Sequence, residues 1–113
     1  MDFESLAKTT QENLYEKFLS KYNHNKDQKI IIFGAGDQGM LTAALLKENG
    51  IPIWRFCDNN PDLRGQTVKN IKVILPEDLL SLDREYIIIN NDSYRIEKKN
   101  QLLAIGISED SIY

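Results

Sequence analysis

Residues 30–39 of the chain have the sequence IIIFGAGDQG. The first four are apolar without interruption, as in a strand that is covered on both faces at the centre of a parallel sheet. The next six fit the pattern G-x-G-x-x-G, and the residues that follow have the apolar spacing of a helix. The stretch therefore predicts a buried strand, a tight glycine turn and a helix in direct succession.

Each glycine in this turn has a predicted task. Gly34 permits the sharp turn, Gly36 lets an anionic group approach the backbone, and Gly39 lets the helix lie close to the sheet. The amides of the turn and the positive end of the helix dipole favour a phosphate group. We therefore predict a phosphate-binding loop formed by Gly34, Ala35, Gly36, Asp37, Gln38 and Gly39. The alternative is a tight turn without a ligand.

From Lys29 onward, short β-branched apolar runs alternate with helical segments, as in parallel α/β sheets. Helices are predicted over residues 38–48, 76–81 and 93–104. Besides the first strand, strands are predicted over residues 53–57, 71–74, 86–89 and 111–113. Right-handed crossovers between them give a three-layer α/β fold, with a five-stranded parallel sheet in the order 3-2-1-4-5.

Three local features refine this prediction. A short hairpin is expected to turn at Lys69-Asn70, because Asn tolerates positive φ. The first helix is expected to end at Gly50, where glycine permits a left-handed conformation. The residues of that helix that are expected to face the core are Met40, Leu41, Ala44 and Leu45.

Residues 1–28 are predicted to form a separate N-terminal segment ahead of a domain over residues 29–113. Leu14, Phe18 and Tyr22 recur every four residues, which predicts an amphipathic helix followed by a polar linker. We expect this helix to pack against its own domain, a companion domain or a second copy of the chain. His24 lies in the linker, without a catalytic neighbour in the sequence.

Asp58 follows the second predicted strand, 22 residues after Gly36. A carboxylate at this position can accept hydrogen bonds from the two hydroxyls of a ribose. It would repel a 2′-phosphate, so NAD or another nucleoside without that phosphate is favoured over NADP. The alternative is that Asp58 only begins a turn. Cys57, the residue before it, is predicted to be a small buried side chain and not a nucleophile.

Other polar residues are expected at the same edge of the sheet. Asn59 follows Asp58, and Asn90 and Asn91 follow the fourth predicted strand. Open α/β sheets bind ligands at the carboxyl ends of their strands, so these asparagines are candidate contacts to a ribose or a diphosphate. The Asp92-Ser93 pair is expected to cap the following helix instead.

The sequence does not reveal a complete catalytic site. Tyr94 and Lys98 match the Y-x-x-x-K pair that short-chain dehydrogenases use for proton transfer. Those enzymes carry the pair on a later helix, so we interpret it here as part of a solvated helix face. The single His lies in the linker, so neither a Ser-His-Asp nor a Cys-His set can be assembled.

The composition argues against several classes of protein. One cysteine and one histidine among 113 residues are too few for a disulfide framework or a Cys/His zinc site, and we expect no metal. The 14 basic and 17 acidic residues are interspersed, which argues against nucleic-acid binding. The chain has no apolar run near the roughly 18 residues that span a membrane, nor a secretory signal. We therefore expect a cytoplasmic protein.

Three segments together carry a resemblance to a known domain. They are IIIFGAGDQG at 30–39, FCDNNPDLRGQTVKNIKVILPEDL at 56–79 and EYIIINNDSYRIEKKNQLLAIGISEDSIY at 85–113. This series resembles a small Rossmann-like domain of bacterial surface-polysaccharide enzymes. It is similar to the N-terminal domain of sialic acid O-acetyltransferase-type sugar acyltransferases. It also resembles the nucleotide-binding domain of sugar-nucleotide dehydratases and modules fused to some methyltransferases and glycosyltransferases.

The resemblance covers residues 29–113. It implies binding of NAD or of a sugar nucleotide, typically UDP-linked, with the glycine loop at the phosphates and Asp58 near the nucleoside. The chain departs from the acyltransferases where Asp37-Gln38 replaces a histidine-bearing G-G-H-G form. It also lacks the hexapeptide-repeat β-helix that performs acyl transfer.

Two hypotheses remain open. In the first hypothesis, the chain is the nucleotide-binding domain of a larger or multi-component enzyme of bacterial surface-polysaccharide or sugar-nucleotide metabolism. Alternatively, it is a non-catalytic interaction or oligomerisation module in which the nucleotide site is vestigial.

Overall fold

The computed structural model describes residues 28–83, 85–90 and 93–113. The predicted N-terminal helix and the linker with His24 lie outside these residues. The predicted ligand contact Asn91 and the predicted cap Asp92 lie outside them as well.

In the described part of the chain, strands and helices alternate much as predicted. The strands are β1 (Lys29–Phe33), β2 (Arg55–Cys57), β3 (Thr67–Val68), β4 (Ile71–Ile74) and β5 (Tyr86–Ile89). The α-helices are α1 (Asp37–Glu48) and α2 (Arg95–Ala104). Short 3₁₀ helices cover Pro61–Leu63, Pro76–Ser81 and Glu109–Ser111.

The strands form one mixed sheet in the order β3-β4-β2-β1-β5. β1, β2, β4 and β5 are parallel, whereas β3 is antiparallel to β4. The sheet is therefore not all-parallel, and its order of five differs from the predicted 3-2-1-4-5. The four parallel strands β4, β2, β1 and β5 do lie in the order predicted for strands 3, 2, 1 and 4, and the difference concerns the fifth strand. Residues 111–113, predicted as the fifth strand, contribute one isolated bridge between Ile112 and Ile88. The chain reaches that edge in a 3₁₀ turn through Ser111, which prevents a longer strand from forming.

The fifth strand lies instead at the opposite edge, where β3 and β4 form a hairpin. Its two turn residues, Lys69 and Asn70, have φ values of 51° and 65°. Positive φ at both central residues is the mark of a type I′ turn, which matches the twist of the flanking strands. The predicted turn position is confirmed.

Both faces of the sheet are buried, so the fold has three layers. Alternate residues of each strand point to opposite faces. On the face that α1 covers, the buried side chains include Ile30, Ile32, Phe56, Val73 and Ile89, with Ala43 and Leu46 of α1. On the face that α2 covers, they include Ile31, Phe33, Cys57, Ile74 and Ile88, with Leu79, Leu102 and Ile107.

The face that α1 presents to the sheet differs from the predicted one. Its buried residues are Gly39, Thr42, Ala43 and Leu46. The predicted core residue Leu41 is 47% exposed, and Ala44 is exposed too. Gly39 has to face the sheet because α1 lies against β1 there, and the helical period then brings residues 42, 43 and 46 to the same face.

The predicted end of α1 is confirmed. Gly50 has φ +81°, a conformation that glycine adopts without steric penalty. The N–H of Gly50 donates to the carbonyl of Lys47 at 3.0 Å, and the N–H of Ile51 donates to that of Leu46 at 2.9 Å. This pair of bonds is a Schellman motif, which satisfies the last carbonyls of the helix.

Candidate functional site

The loops after β1 and β2 lie side by side at the carboxyl edge of the sheet. Phe33 pairs with Cys57 in the parallel register. Two backbone bonds extend this pairing: Gly34 N–H donates to Cys57 at 2.7 Å, and Asp58 N–H donates to Ile74 at 3.0 Å. The predicted glycine loop and the predicted ribose ligand are therefore neighbours in the fold.

Gly36 occupies the N-cap of α1, with φ −85° and ψ −163°. A Cβ atom added to Gly36 would have no heavy atom of the described residues within 4 Å, so the space beside its backbone is open. Gly36 has no side chain to cap the first N–H groups of the helix. These groups and the helix dipole form a site that is suited to an anion. The side chains of Asp37 and Gln38 are exposed around it.

Gly39 fixes the distance between α1 and β1. A Cβ atom on Gly39 would collide with the carbonyl oxygen of Gly34 and lie 3.5 Å from Cγ2 of Ile32. The obstacle is backbone, which cannot move aside as a flexible side chain can. The predicted packing task of Gly39 is confirmed, and it holds the N-terminus of α1 directly against the end of β1.

Asp58 is half-buried and bonds to both loops. Its Oδ2 accepts a hydrogen bond from the N–H of Ala35 at 2.9 Å, and its Oδ1 accepts one from the N–H of Asn60 at 2.9 Å. Asp58 therefore begins a turn and also holds the glycine loop. Each carboxylate oxygen has two lone pairs, so these two bonds leave room for two more donors.

Asn59 points to a different part of the fold. Its amide and the amide of Gln101 on α2 exchange two hydrogen bonds, of 3.0 Å and 2.7 Å. Both polar atoms of the Asn59 side chain thus bind α2, on the face opposite the one that Asp58 serves. The structure does not bring this predicted contact to the glycine loop.

Asn90 is buried at the end of β5, with 6% of its surface exposed. Its Nδ2 donates to the carbonyl of Arg95 at 2.7 Å, in the first turn of α2. Its Oδ1 is buried and accepts no hydrogen bond from any described residue. Buried polar atoms are nearly always paired in folded proteins, so an orphaned acceptor at this edge indicates a missing donor.

Lys98 is a residue of this edge that the sequence interpretation missed. It is half-buried, and its Nζ lies 3.5 Å from the carbonyl oxygen of Phe33 and 4.8 Å from the centroid of the Phe33 ring. The interpretation of Lys98 as part of a solvated helix face is therefore wrong. Tyr94, the other residue of the Y-x-x-x-K match, is 65% exposed. Lys98 precedes the fully buried Leu102 by four residues, and this helical spacing could have revealed it.

Cys57 lies close to these groups but is inaccessible. Its side chain is fully buried, and this burial, together with the charge of Asp58, raises the pKa of the thiol to about 12. A buried neutral thiol is a poor nucleophile. The prediction that Cys57 is a packed side chain is confirmed.

Among the described residues, no three His, Cys, Asp or Glu side chains come together in a way that could hold a metal ion. Within the same part of the chain, α1 and α2 are too short and too polar to cross a membrane.

The sequence of residues 26–113 matches the family described as C2185-like, N-terminal. The chain belongs to this family. The match includes the glycine loop, Asp58, Asn90 and Lys98, and thus every residue of the candidate site. No curated protein is significantly similar to the chain in sequence.

Solved structures share the fold of this C2185-like domain. UDP-D-quinovosamine 4-dehydrogenase from Vibrio fischeri matches with a TM-score of 0.53 and 19% identity, over 70% of each chain. RSP, a Rex-family repressor, matches with a TM-score of 0.54 and 24% identity, over 85% of this chain and 49% of that one. The structure of RSP in complex with β-NADH matches with a TM-score of 0.52 and 24% identity, over 85% of this chain and 50% of that one. The chain thus spans about half the length of the repressor, and the similarities show a Rossmann-like fold.

Proposed function

We propose that the chain binds a nucleotide through its diphosphate at the carboxyl edge of the sheet. The observation that carries this proposal is the bond between Asp58 and Ala35, beside the open backbone of Gly36. The carboxylate of Asp58, a group that can accept from ribose hydroxyls, lies next to a helix N-terminus that suits phosphate groups, and this arrangement supports the proposal. A nucleoside diphosphate carries its phosphate groups directly beside its ribose, so it can contact both features at once.

Each part of the site has a stated role in this proposal. The diphosphate contacts the backbone N–H groups between Gly34 and Gly39, and the helix dipole of α1 stabilises its charge. The nucleoside ribose donates its hydroxyls to Asp58. The carboxylate also disfavours a 2′-phosphate by charge repulsion, so NAD is preferred over NADP.

NAD and a UDP-sugar both fit this description. The complex of RSP with β-NADH supports NAD, since its fold is similar. The dehydrogenase from Vibrio fischeri acts on UDP-D-quinovosamine, as its name states, and supports a sugar nucleotide. We propose that the chain is the nucleotide-binding part of a larger or multi-component enzyme of bacterial surface-polysaccharide or sugar-nucleotide metabolism. Residues outside the candidate site would then perform the chemistry.

Thermal unfolding in the presence of NAD, NADP, UDP-sugars and CoA tests the proposal. We expect the Tm to rise with the concentration of NAD or of a UDP-sugar, because a ligand that binds only the folded state stabilises it. Gly36→Val should abolish this rise. The backbone conformation of Gly36 is extended and suits valine, and an added Cβ would have no heavy atom of the described residues within 4 Å.

Ala44→Val is the matched control, since it adds bulk to an exposed position of α1 away from the glycine loop. This variant should keep the ligand-induced rise in Tm. If no nucleotide stabilises the wild type at millimolar concentration, the proposal fails and the interaction-module hypothesis remains. If Gly36→Val keeps the full response, the diphosphate site lies elsewhere.

A further inference from the structure

Two polar side chains lie near the end of β1, on the face of the sheet that α2 covers. Lys98 extends from α2 to the carbonyl of Phe33, the residue before the glycine loop. Asn90 follows Ile89, which pairs with Ile32 in the register of β1 and β5. Phe33 and Asn90 are therefore neighbours on adjacent strands, and the ammonium of Lys98 lies over the Phe33 ring.

The two side chains offer complementary hydrogen-bonding groups. Lys98 has N–H donors and a positive charge, whereas Asn90 has a buried oxygen without a donor among the described residues. The Nδ2 of Asn90 is already bonded to Arg95, so the amide cannot turn round to hide the orphaned oxygen. A donor and an acceptor at the same edge of the sheet suit hydroxyl groups, which can both accept and donate.

The strand order sets the position of this pair relative to the nucleoside. β1 lies between β2, which Asp58 follows directly, and β5, which Asn90 follows directly. Two strand spacings separate these ends by about 10 Å. A diphosphate at the end of β1 would thus have one ring on the side of Asp58 and a second ring on the side of Asn90.

We propose that Lys98 and Asn90 bind the hydroxyl-bearing ring that lies beyond the diphosphate. The inference rests on the proposed nucleotide binding and extends it to a second half-site. The ring is the second ribose of NAD or the sugar of a UDP-sugar, which present the same hydroxyl chemistry. Lys98 donates to one hydroxyl, and Asn90 accepts from another.

Isothermal titration calorimetry with matched pairs of ligands tests this half-site separately from the rest of the site. NAD is compared with ADP, and UDP-glucose with UDP, because the shorter member of each pair lacks the second ring. Lys98→Met keeps a long unbranched side chain at this position but removes the charge and the donors. We expect it to lower the affinity for the longer ligand about tenfold and to change that for the shorter one less than twofold. The pair that shows this loss identifies the source of the ring.

Lys99→Met is the matched control, since it removes a neighbouring positive charge that is paired with Glu109. It should leave both affinities unchanged, and Lys98→Arg should retain most of the preference for the longer ligand. Asn90→Ala also removes a bond within the fold, so its effect is measured as the ratio of the two affinities. That ratio should fall as it does in Lys98→Met.

The two proposals fail in different ways. If the wild type binds none of the four ligands, the proposed function is wrong and the second half-site is overturned with it. If the wild type binds them but Lys98→Met weakens the long and short ligands equally, only the second half-site is overturned. The same holds if both affinities are unchanged in Lys98→Met.

Discussion

The carboxylate of Asp58 accepts a 2.9 Å hydrogen bond from the backbone N–H of Ala35, and this bond joins the end of β2 to the glycine loop. The same carboxylate also accepts a bond from Asn60. Asp58 therefore stabilises the shape of the candidate site whether or not a ligand is bound. A variant at this position changes the fold and the ligand contact together.

Asp58→Ala should lower the free energy of unfolding by about 1–2 kcal/mol, because it removes two hydrogen bonds to a half-buried carboxylate. Asp58→Asn should cost less, since an amide retains one of the two acceptor oxygens. Urea unfolding followed by far-UV circular dichroism measures both values. An Asp58→Ala chain as stable as the wild type would contradict this role of the Ala35 bond.

Gly39→Ala should destabilise the chain by about 3 kcal/mol, because its methyl group would collide with the backbone of Gly34. Gly36→Ala is the matched control and should cost less than about 1 kcal/mol, since its methyl group enters open space. The midpoints of urea unfolding measure both effects, provided that the free energy of unfolding depends on urea concentration with the same slope in the two variants. Equal destabilisation would mean that α1 is not held against β1 through residue 39.

Cys57 should not react with a thiol reagent such as DTNB while the chain is folded. The side chain is fully buried, so the reagent cannot reach the sulfur. Burial also raises the pKa of the thiol to about 12, so very little thiolate is present at pH 8. Because the chain has one cysteine, the release of thionitrobenzoate reports this residue alone. The reaction should become complete in urea. Rapid reaction of the folded chain would show that the end of β2 opens readily.

The carboxylate of Asp78 should stabilise the fold above its ordinary pKa and lose this effect in acid. Hydrogen bonding to the Leu75 N–H, then to Arg64, lowers the pKa of Asp78 from its usual 3.8. A group whose pKa is lower in the folded state contributes fully above the unfolded pKa. This contribution disappears as the pH falls through the folded pKa.

Asp78→Ala should therefore cost about 1 kcal/mol near neutral pH, because it removes the hydrogen bond that the N–H of Leu75 donates to the carboxylate at the start of the 3₁₀ helix. The difference from the wild type should shrink as the pH is lowered from about 4. Urea midpoints over this range measure it. Arg64→Met removes only the exposed ion pair and should cost at most about 0.5 kcal/mol. A pH-independent difference for Asp78→Ala would mean that its charge does not contribute.

The sequence alone determined the features that depend on the conformations of neighbouring residues. Residues 30–39 form the predicted strand, glycine turn and helix, because the apolar run and the glycines restrict the backbone locally. The turn at Lys69-Asn70 and the end of α1 at Gly50 follow from positive φ in the same way. The position of Asp58 after β2 could also be predicted, since strand ends are marked by a change from apolar to polar residues.

The tertiary structure decided what depends on residues far apart in the chain. The two edges of the sheet differ from the prediction: residues 67–68 form an edge strand, whereas residues 111–113 make only an isolated bridge. A short edge strand forms because it pairs with another segment, and its own sequence pattern does not show this. The side chain of Asn59 bonds to Gln101, 42 residues away, and not to the glycine loop. Lys98 was brought to Phe33, 65 residues away, by the docking of α2. Local sequence restricts the backbone of each element, whereas the partners of its polar side chains are set only when the elements pack.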